Sequence, residues 1–125
     1  MISPARSVIY EEVNDASLVL AVRKEGFTAL MMGDAGITAQ EAVLARDIED
    51  VMVLKVAHHG SAVDTNTADF LEKISARIAV ISCARNNMYG HPHTETLQWL
   101  EESNSDIYRT DLQGAICIRI RDDSV

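Results

Sequence analysis

Positive charge, cysteine and long apolar runs are all scarce in this 125-residue chain. Its 11 lysines and arginines stand against 19 aspartates and glutamates, a net charge of −8. That balance excludes a broad basic surface gripping nucleic acid through its phosphates alone, but leaves room for a local positive site such as a bound metal. Two cysteines, Cys83 and Cys117, make neither a disulfide framework nor a CxxC metal knuckle; they read as small buried thiols on strands. The longest apolar stretches are cut by Arg23 and Lys55, well short of the roughly 18–20 residues that a bilayer span needs, so no span is expected. Glu11, Glu12 and Asp15 interrupt the N-terminal stretch, which argues against a secretory leader. There is no internal repeat, no interdomain linker and no glycine-rich phosphate loop. What is left is a chain with 47% hydrophobic residues, ordinary for a globular protein and long enough for one domain over residues 1–125.

Apolar periodicity divides the chain into elements. Residues 17–23 (SLVLAVR) and 27–32 (FTALMM), joined by Lys24-Glu25-Gly26, predict a β-hairpin. Thr38 and Glu41 have the spacing of a capping box for a helix over 39–47. Residues 51–57 (VMVLKVA) form the next strand; Asn66 is a candidate cap for a helix with Phe70, Leu71 and Ile74 on one face. A strand over 78–83, then a helix capped by Thr94, carrying Leu97 and Leu100 and stopping near Asn104, follow. The chain closes with a strand over 106–110, a turn over 111–114 and a last strand over 115–121, in which Ile116, Ile118 and Ile120 face one way. Met31, Met32 and Met52 read as core, and Glu101-Glu102 and Asp122-Asp123 as solvated charge. The fold class is α/β with a mixed sheet. Alternating strands and helices from Phe27 onward make the strands parallel and bring their C-terminal ends to one rim, where ligands bind in open α/β sheets.

Polar clusters follow three of these strands: Gly33-Asp34, His58-His59-Gly60-Ser61, and residues 86–93 (NNMYGHPH). Each has an ordinary reading taken alone: a turn, a solvated loop, a lead-in to a helix. Together they place a carboxylate and all four histidines of the chain on the same rim. Such a donor set suits a divalent ion of zinc or manganese type, on which bound water becomes acidic enough to serve as a nucleophile near neutral pH.

The segments NDASLVL (14–20), GD (33–34), LKVAHHGS (54–61) and YGHPH (89–93) resemble, in this order, the second half of the metallo-β-lactamase-like domain that ends ComEC-type DNA-uptake (competence) proteins. The resemblance runs from residue 2 to residue 120. It implies half of an αββα sandwich, one sheet with helices on its outer face, and a zinc or manganese site of two ions at one edge. It also implies metal-dependent hydrolysis, of phosphodiesters such as DNA. By position, Asp34 matches the metal-bridging aspartate. Of the histidine pair, His59 is expected as the ligand and His58 as the catalytic, substrate-facing group, the reverse assignment being the alternative. His91 matches a histidine near the substrate phosphate, able to donate a proton or hydrogen bond to a developing oxyanion. Ser61, Asn87 and His93 are candidate substrate-binding residues.

The family's main ligand motif, H-x-H-x-D-H, occurs nowhere in these residues; the one H-x-H is His91-Pro92-His93, followed by Thr94. The chain is therefore expected to be the C-terminal half of the domain, with weak or partial metal binding of its own. Its inner sheet face should lack a cover, so the expected partner is the missing N-terminal half, or a second copy joined through that face; a nucleic acid is the expected substrate. The half-domain is expected to be soluble even where its parent is attached to a membrane. A non-enzymatic assembly or binding module derived from this fold is the competing function. A doubly wound nucleotide binder is the weaker third, because the rim lacks an acidic triad and a phosphate loop.

Overall fold

Period-two alternation of aliphatic residues builds a five-stranded sheet in the computed structural model, which describes residues 1, 2, 4 and 11–121. β1 (Leu20–Lys24) and β2 (Phe27–Met31) form the expected antiparallel hairpin around Glu25-Gly26, with Leu20 opposite Met31 and Lys24 opposite Phe27. β3 (Val51–Lys55), β4 (Ile78–Ile81) and β5 (Asp106–Arg109) then add in parallel, giving the order β1-β2-β3-β4-β5. The connections carry α1 (Ile37–Leu44), α2 (Ala68–Ile74) and α3 (Thr94–Glu102), and a short α4 (Thr110–Gln113) follows β5.

Strands that join their neighbours in sequence order through crossovers of one hand place all the intervening helices on the same side of the sheet. Burial follows that rule. The register row Ala21, Leu30, Leu54, Ala79 and Ile107 lies under the helices, where Leu30, Leu54 and Ala79 pack in one core with Val43, Phe70, Leu71 and Leu100. The next row, Leu20, Met31, Lys55, Val80 and Tyr108, points the other way. There Leu20, Met31 and Tyr108 remain 36%, 41% and 40% exposed. Val22, Ala29, Val53 and Ile78 extend this face along the pleat. The architecture is thus a mixed α/β half-sandwich: one sheet, helices on one side, and an apolar surface on the other.

Several local expectations are corrected. Met32 is buried as core, but Met31, one pleat away, belongs to the open face. Thr38 and Glu41 form no capping box: α1 begins at Ile37 behind Gly36, with no side-chain cap from its own first turn. Instead the buried Asp15, distant in sequence, accepts the Ala39 amide on Oδ1 at 3.4 Å. Gly36 permits this approach, since a Cβ there would lie 2.6 Å from that carboxylate oxygen. Thr67, not Asn66, caps α2, its hydroxyl accepting the Phe70 amide. Thr94 is the first residue of α3 rather than its cap, a position held by His93. Residues 111–114 fall mostly in α4 and its glycine terminus. Residues 115–121 form no strand beyond a bridge residue at Arg121; residues 116–119 instead border a shallow cleft of about 220 Å³ with Ile78 and Tyr108. Cys117 is accordingly exposed, whereas Cys83 is half-buried; both are free thiols. Burial, with Asp111 alongside, pushes the Cys83 thiol above its usual pKa, which keeps it protonated and unreactive. Asp122-Asp123 lie outside the described residues.

Asp15→Ala removes a buried acceptor from the start of α1 and is expected to lower stability by about 1–2 kcal/mol in urea unfolding. Asp15→Asn, which keeps an oxygen in place, should lose less than half of that.

Candidate functional site

The sheet delivers three chain segments to one rim: Gly33-Asp34 after β2, a 3-10 turn over Ala57–Gly60 after β3, and residues 82–93 after β4. The turn after β3 is held in a conformation its sequence would not choose. His58, His59 and Gly60 all have positive φ, at 45°, 56° and 83°; for the two histidines this left-handed backbone costs about 1–2 kcal/mol each. Neighbouring groups enforce it. Asn66 is fully buried, and its Nδ2 donates to Ala57 O at 2.8 Å and Ser61 O at 2.7 Å, clasping both ends of the turn. The His58 amide donates to Gly33 O at 2.9 Å, the Ser61 amide to His58 O at 2.9 Å and the His93 amide to Gly60 O at 3.0 Å. Gly60 is packed so closely that a Cβ would sit 2.6 Å from Pro92 Cβ.

The result is a cluster of imidazoles beside one carboxylate. His59 Nε2 lies 3.5 Å from Asp34 Oδ1, both side chains about half exposed. His59 Nδ1 is 2.6 Å from the Ser82 carbonyl; a carbonyl only accepts, so Nδ1 carries a proton. Nε2 is then the ring atom turned toward the carboxylate oxygen across 3.5 Å, a lone pair in the neutral ring and an ion-pairing N–H in the protonated one. The His91 ring stacks at 6.3 Å from that of His59 and approaches the His58 ring to 5.6 Å edge-on. Burial, then the neighbouring His93, His58 and His59, holds the His91 pKa below its usual value, with Asp34 opposing. His58 also borders an open cleft of about 390 Å³ shared with Asn14, Asp15, Ser61 and Asp64. Among the described residues, no group of three His, Cys, Asp or Glu side chains is arranged to hold a metal ion. The convergent pair is Asp34 and His59.

No family model matches the chain. Curated relatives do. It is 34% identical over 110 residues to ComE operon protein 3 of Bacillus subtilis, a match covering 86% of this chain and 14% of that protein. It is 30% identical over 105 residues to Competence protein ComA of Neisseria gonorrhoeae, covering 82% and 15% respectively. It is also 29% identical over 124 residues to Recombination protein 2 of Haemophilus influenzae, covering 98% and 15%. Over most of its length the chain is thus homologous to one stretch of these proteins, and they point to a competence DNA-uptake family. It spans about one seventh of the length of these relatives.

The remaining expected site residues hold the loop in shape. Both His93 nitrogens meet backbone: Nδ1 accepts the Ala62 amide at 2.9 Å, which puts the proton of the neutral ring on Nε2, 3.4 Å from Tyr89 O. Asn87 grips His91 at both main-chain groups, Oδ1 accepting from its amide at 2.9 Å and Nδ2 donating to its carbonyl at 2.6 Å. Ser61 is buried and its hydroxyl accepts the Val63 amide at 3.1 Å. Sequence reasoning missed two contributors. Asn66 has the place of a helix cap in the sequence, but its side chain serves the turn before α2. Lys55 looked like a mere interruption of an apolar run. It is partly buried on the open face, where burial lowers its ammonium pKa against the opposing pull of Asp34 and Cys83.

Because folding favours neutral His91, its contribution to stability is complete above the ordinary pKa of 6.5 and is lost as pH falls through the lowered folded value. Proton NMR titration of the metal-free chain should give His91 an apparent pKa below 6.5. Asp34→Ala should lower it further, since it removes the one charge that favours the imidazolium; an increase would contradict the assignment.

Proposed function

We propose that this chain supplies the Asp34–His59 side of a divalent-metal site in a phosphodiester hydrolase of DNA uptake, with the other ligands coming from outside these residues. The observation that carries the proposal is the direction of His59, with Nδ1 on the Ser82 carbonyl and Nε2 toward Asp34. An imidazole whose Nδ1–H is engaged by a backbone carbonyl, with Nε2 directed at a carboxylate oxygen, is the arrangement found around zinc-type ions. One nitrogen and one oxygen donor suit zinc or manganese. They are too few for a catalytic site, which needs about three protein ligands and an open position. The resemblance to metallo-β-lactamase-like domains supplies a source for the others, an H-x-H-x-D-H motif; by that analogy the complete site holds two ions. The relatives' names, Competence protein ComA and ComE operon protein 3 among them, support the DNA-uptake context.

When bound, the cation would neutralise phosphate charge and acidify a water. The chain's own residues do the rest. His91, neutral near pH 7 and clamped by Asn87, is placed to donate a ring N–H hydrogen bond to a phosphate oxygen. His58, at the mouth of the 390 Å³ cleft, faces arriving substrate. Ser61 and His93 keep the loops from shifting. The apolar open face of the sheet is covered, in this reading, by the other half of the sandwich. In its absence a second copy takes that place, because a bare sheet face of this kind is a strong association site. That face also favours the competing role of an assembly module, in which the metal pair has no catalytic use.

Zinc titration by calorimetry should show weak, substoichiometric binding to the isolated chain, reduced about tenfold or more by Asp34→Ala or His59→Ala. Tight binding of two ions with full phosphodiesterase activity would overturn the claim that ligands are missing. In a longer protein that includes the upstream motif, Asp34→Ala should abolish hydrolysis; retained hydrolysis would exclude Asp34 as a ligand, and intact assembly without any hydrolysis would favour the assembly role. Sedimentation velocity should show the isolated chain self-associating at micromolar concentration, and Val22→Lys with Leu20→Lys should shift it toward monomer. A monodisperse wild-type monomer would count against the exposed face as a contact surface.

A further inference from the structure

The loop between β4 and α3 carries an aromatic ring that the fold leaves largely in water. Tyr89 is 70% exposed and its neighbour Met88 is 87% exposed. Exposure here does not come with slack backbone. The Asn87 side chain ties Ala84 O to both main-chain groups of His91, the Gly90 amide bonds Asn87 O, and Tyr89 O lies against His93 Nε2. A rigid loop thus holds a large planar side chain out in water, an arrangement that favours a ligand with a flat face because little ordering remains to be done on binding.

The ring's direction matters as well. It lies nearly parallel to His91, at 24° and 5.6 Å between centroids, and His91 is in turn nearly parallel to His59, at 20° and 6.3 Å. The three rings step from solvent to the Asp34–His59 pair. On the same loop Arg85 is exposed and donates through Nε to the backbone carbonyl of Asp111 at 3.2 Å. The Asp111 carboxylate is taken by Arg109, and among the described residues no carboxylate forms an ion pair with Arg85. Its guanidinium is therefore oriented without being neutralised.

We propose that Tyr89 is a stacking platform for an unpaired nucleobase and that Arg85 contacts an adjacent phosphate, so that the rim takes its nucleic acid single-stranded. This rests on the phosphodiester reading and deepens it. Bases in a duplex have both faces stacked already, whereas an unpaired base offers a face to an aromatic side chain, and every base can do so. An acidic chain with a net charge of −8 gains little from long-range attraction to phosphates, so a short-range contact of this kind has to carry more of the affinity.

The test uses the whole 125-residue chain and fluorescence anisotropy with a labelled oligothymidylate of about 12 nucleotides, within the span of known single-strand sites. A fully abasic strand of the same length and a matched duplex serve as comparisons. Wild type should bind the base-bearing strand about tenfold more tightly than either comparison. Tyr89→Ala should erase that preference and Tyr89→Phe should keep it, while Arg85→Ala should weaken base-bearing and abasic strands alike. An unchanged preference in Tyr89→Ala, with circular dichroism like wild type, overturns the platform; so does equal binding of all three probes, or no binding of any. Zinc titration of the same samples separates this from the hydrolase reading, which stands if Asp34- and His59-dependent metal binding persists when the base preference is absent.

Discussion

The grip of Asn66 on the turn after β3 is the constraint from which the rim takes its shape. Two adjacent histidines in left-handed backbone are unfavourable by themselves, and only a surrounding framework makes them persist. Asn66 provides it from a fully buried position, bridging Ala57 and Ser61. The opposing loop, through Pro92 and His93, closes on Gly60 from the other side. His59 is thereby turned toward Asp34 and His58 toward the neighbouring cleft. A right-handed turn at the same place would aim both side chains elsewhere.

The same economy governs the sheet. Because β2 to β5 follow one another in sequence order, their helices gather on one side, and the loops at their C-terminal ends gather on one rim. One topological fact therefore yields both features that matter for function: a rim where distant residues meet, and an opposite face on which, among the described residues, Leu20, Val22, Met31 and Tyr108 stay exposed. The site and the open face are two consequences of a single connectivity.

Much of this was legible in the residues. The hairpin, the three parallel strands after it and the convergence of Asp34 with His58, His59 and His91 follow from apolar periodicity and from where polar clusters interrupt it. The failures share a cause. Capping was read from local spacing, and at α1 a buried carboxylate from elsewhere in the chain supplied the bond instead. Asn66 has helical neighbours in sequence, but its side chain serves the turn before it. The alternating isoleucines of 115–121 have a strand's pattern, but no strand in this sheet pairs with them.

By itself, then, the sequence determined the class of each strand and helix from β1 to β5 and which residues follow each strand. Those properties come from local sterics and from the periodicity of burial, which neighbours along the chain already encode. Only the tertiary structure decided that His59 Nδ1 is spent on Ser82, that His93 is a brace between two loops, and that Asp15 caps a helix it precedes by two strands. Each is a contact between segments distant in sequence, and a hydrogen bond's partner is chosen by where the folded backbone leaves an unsatisfied donor or acceptor.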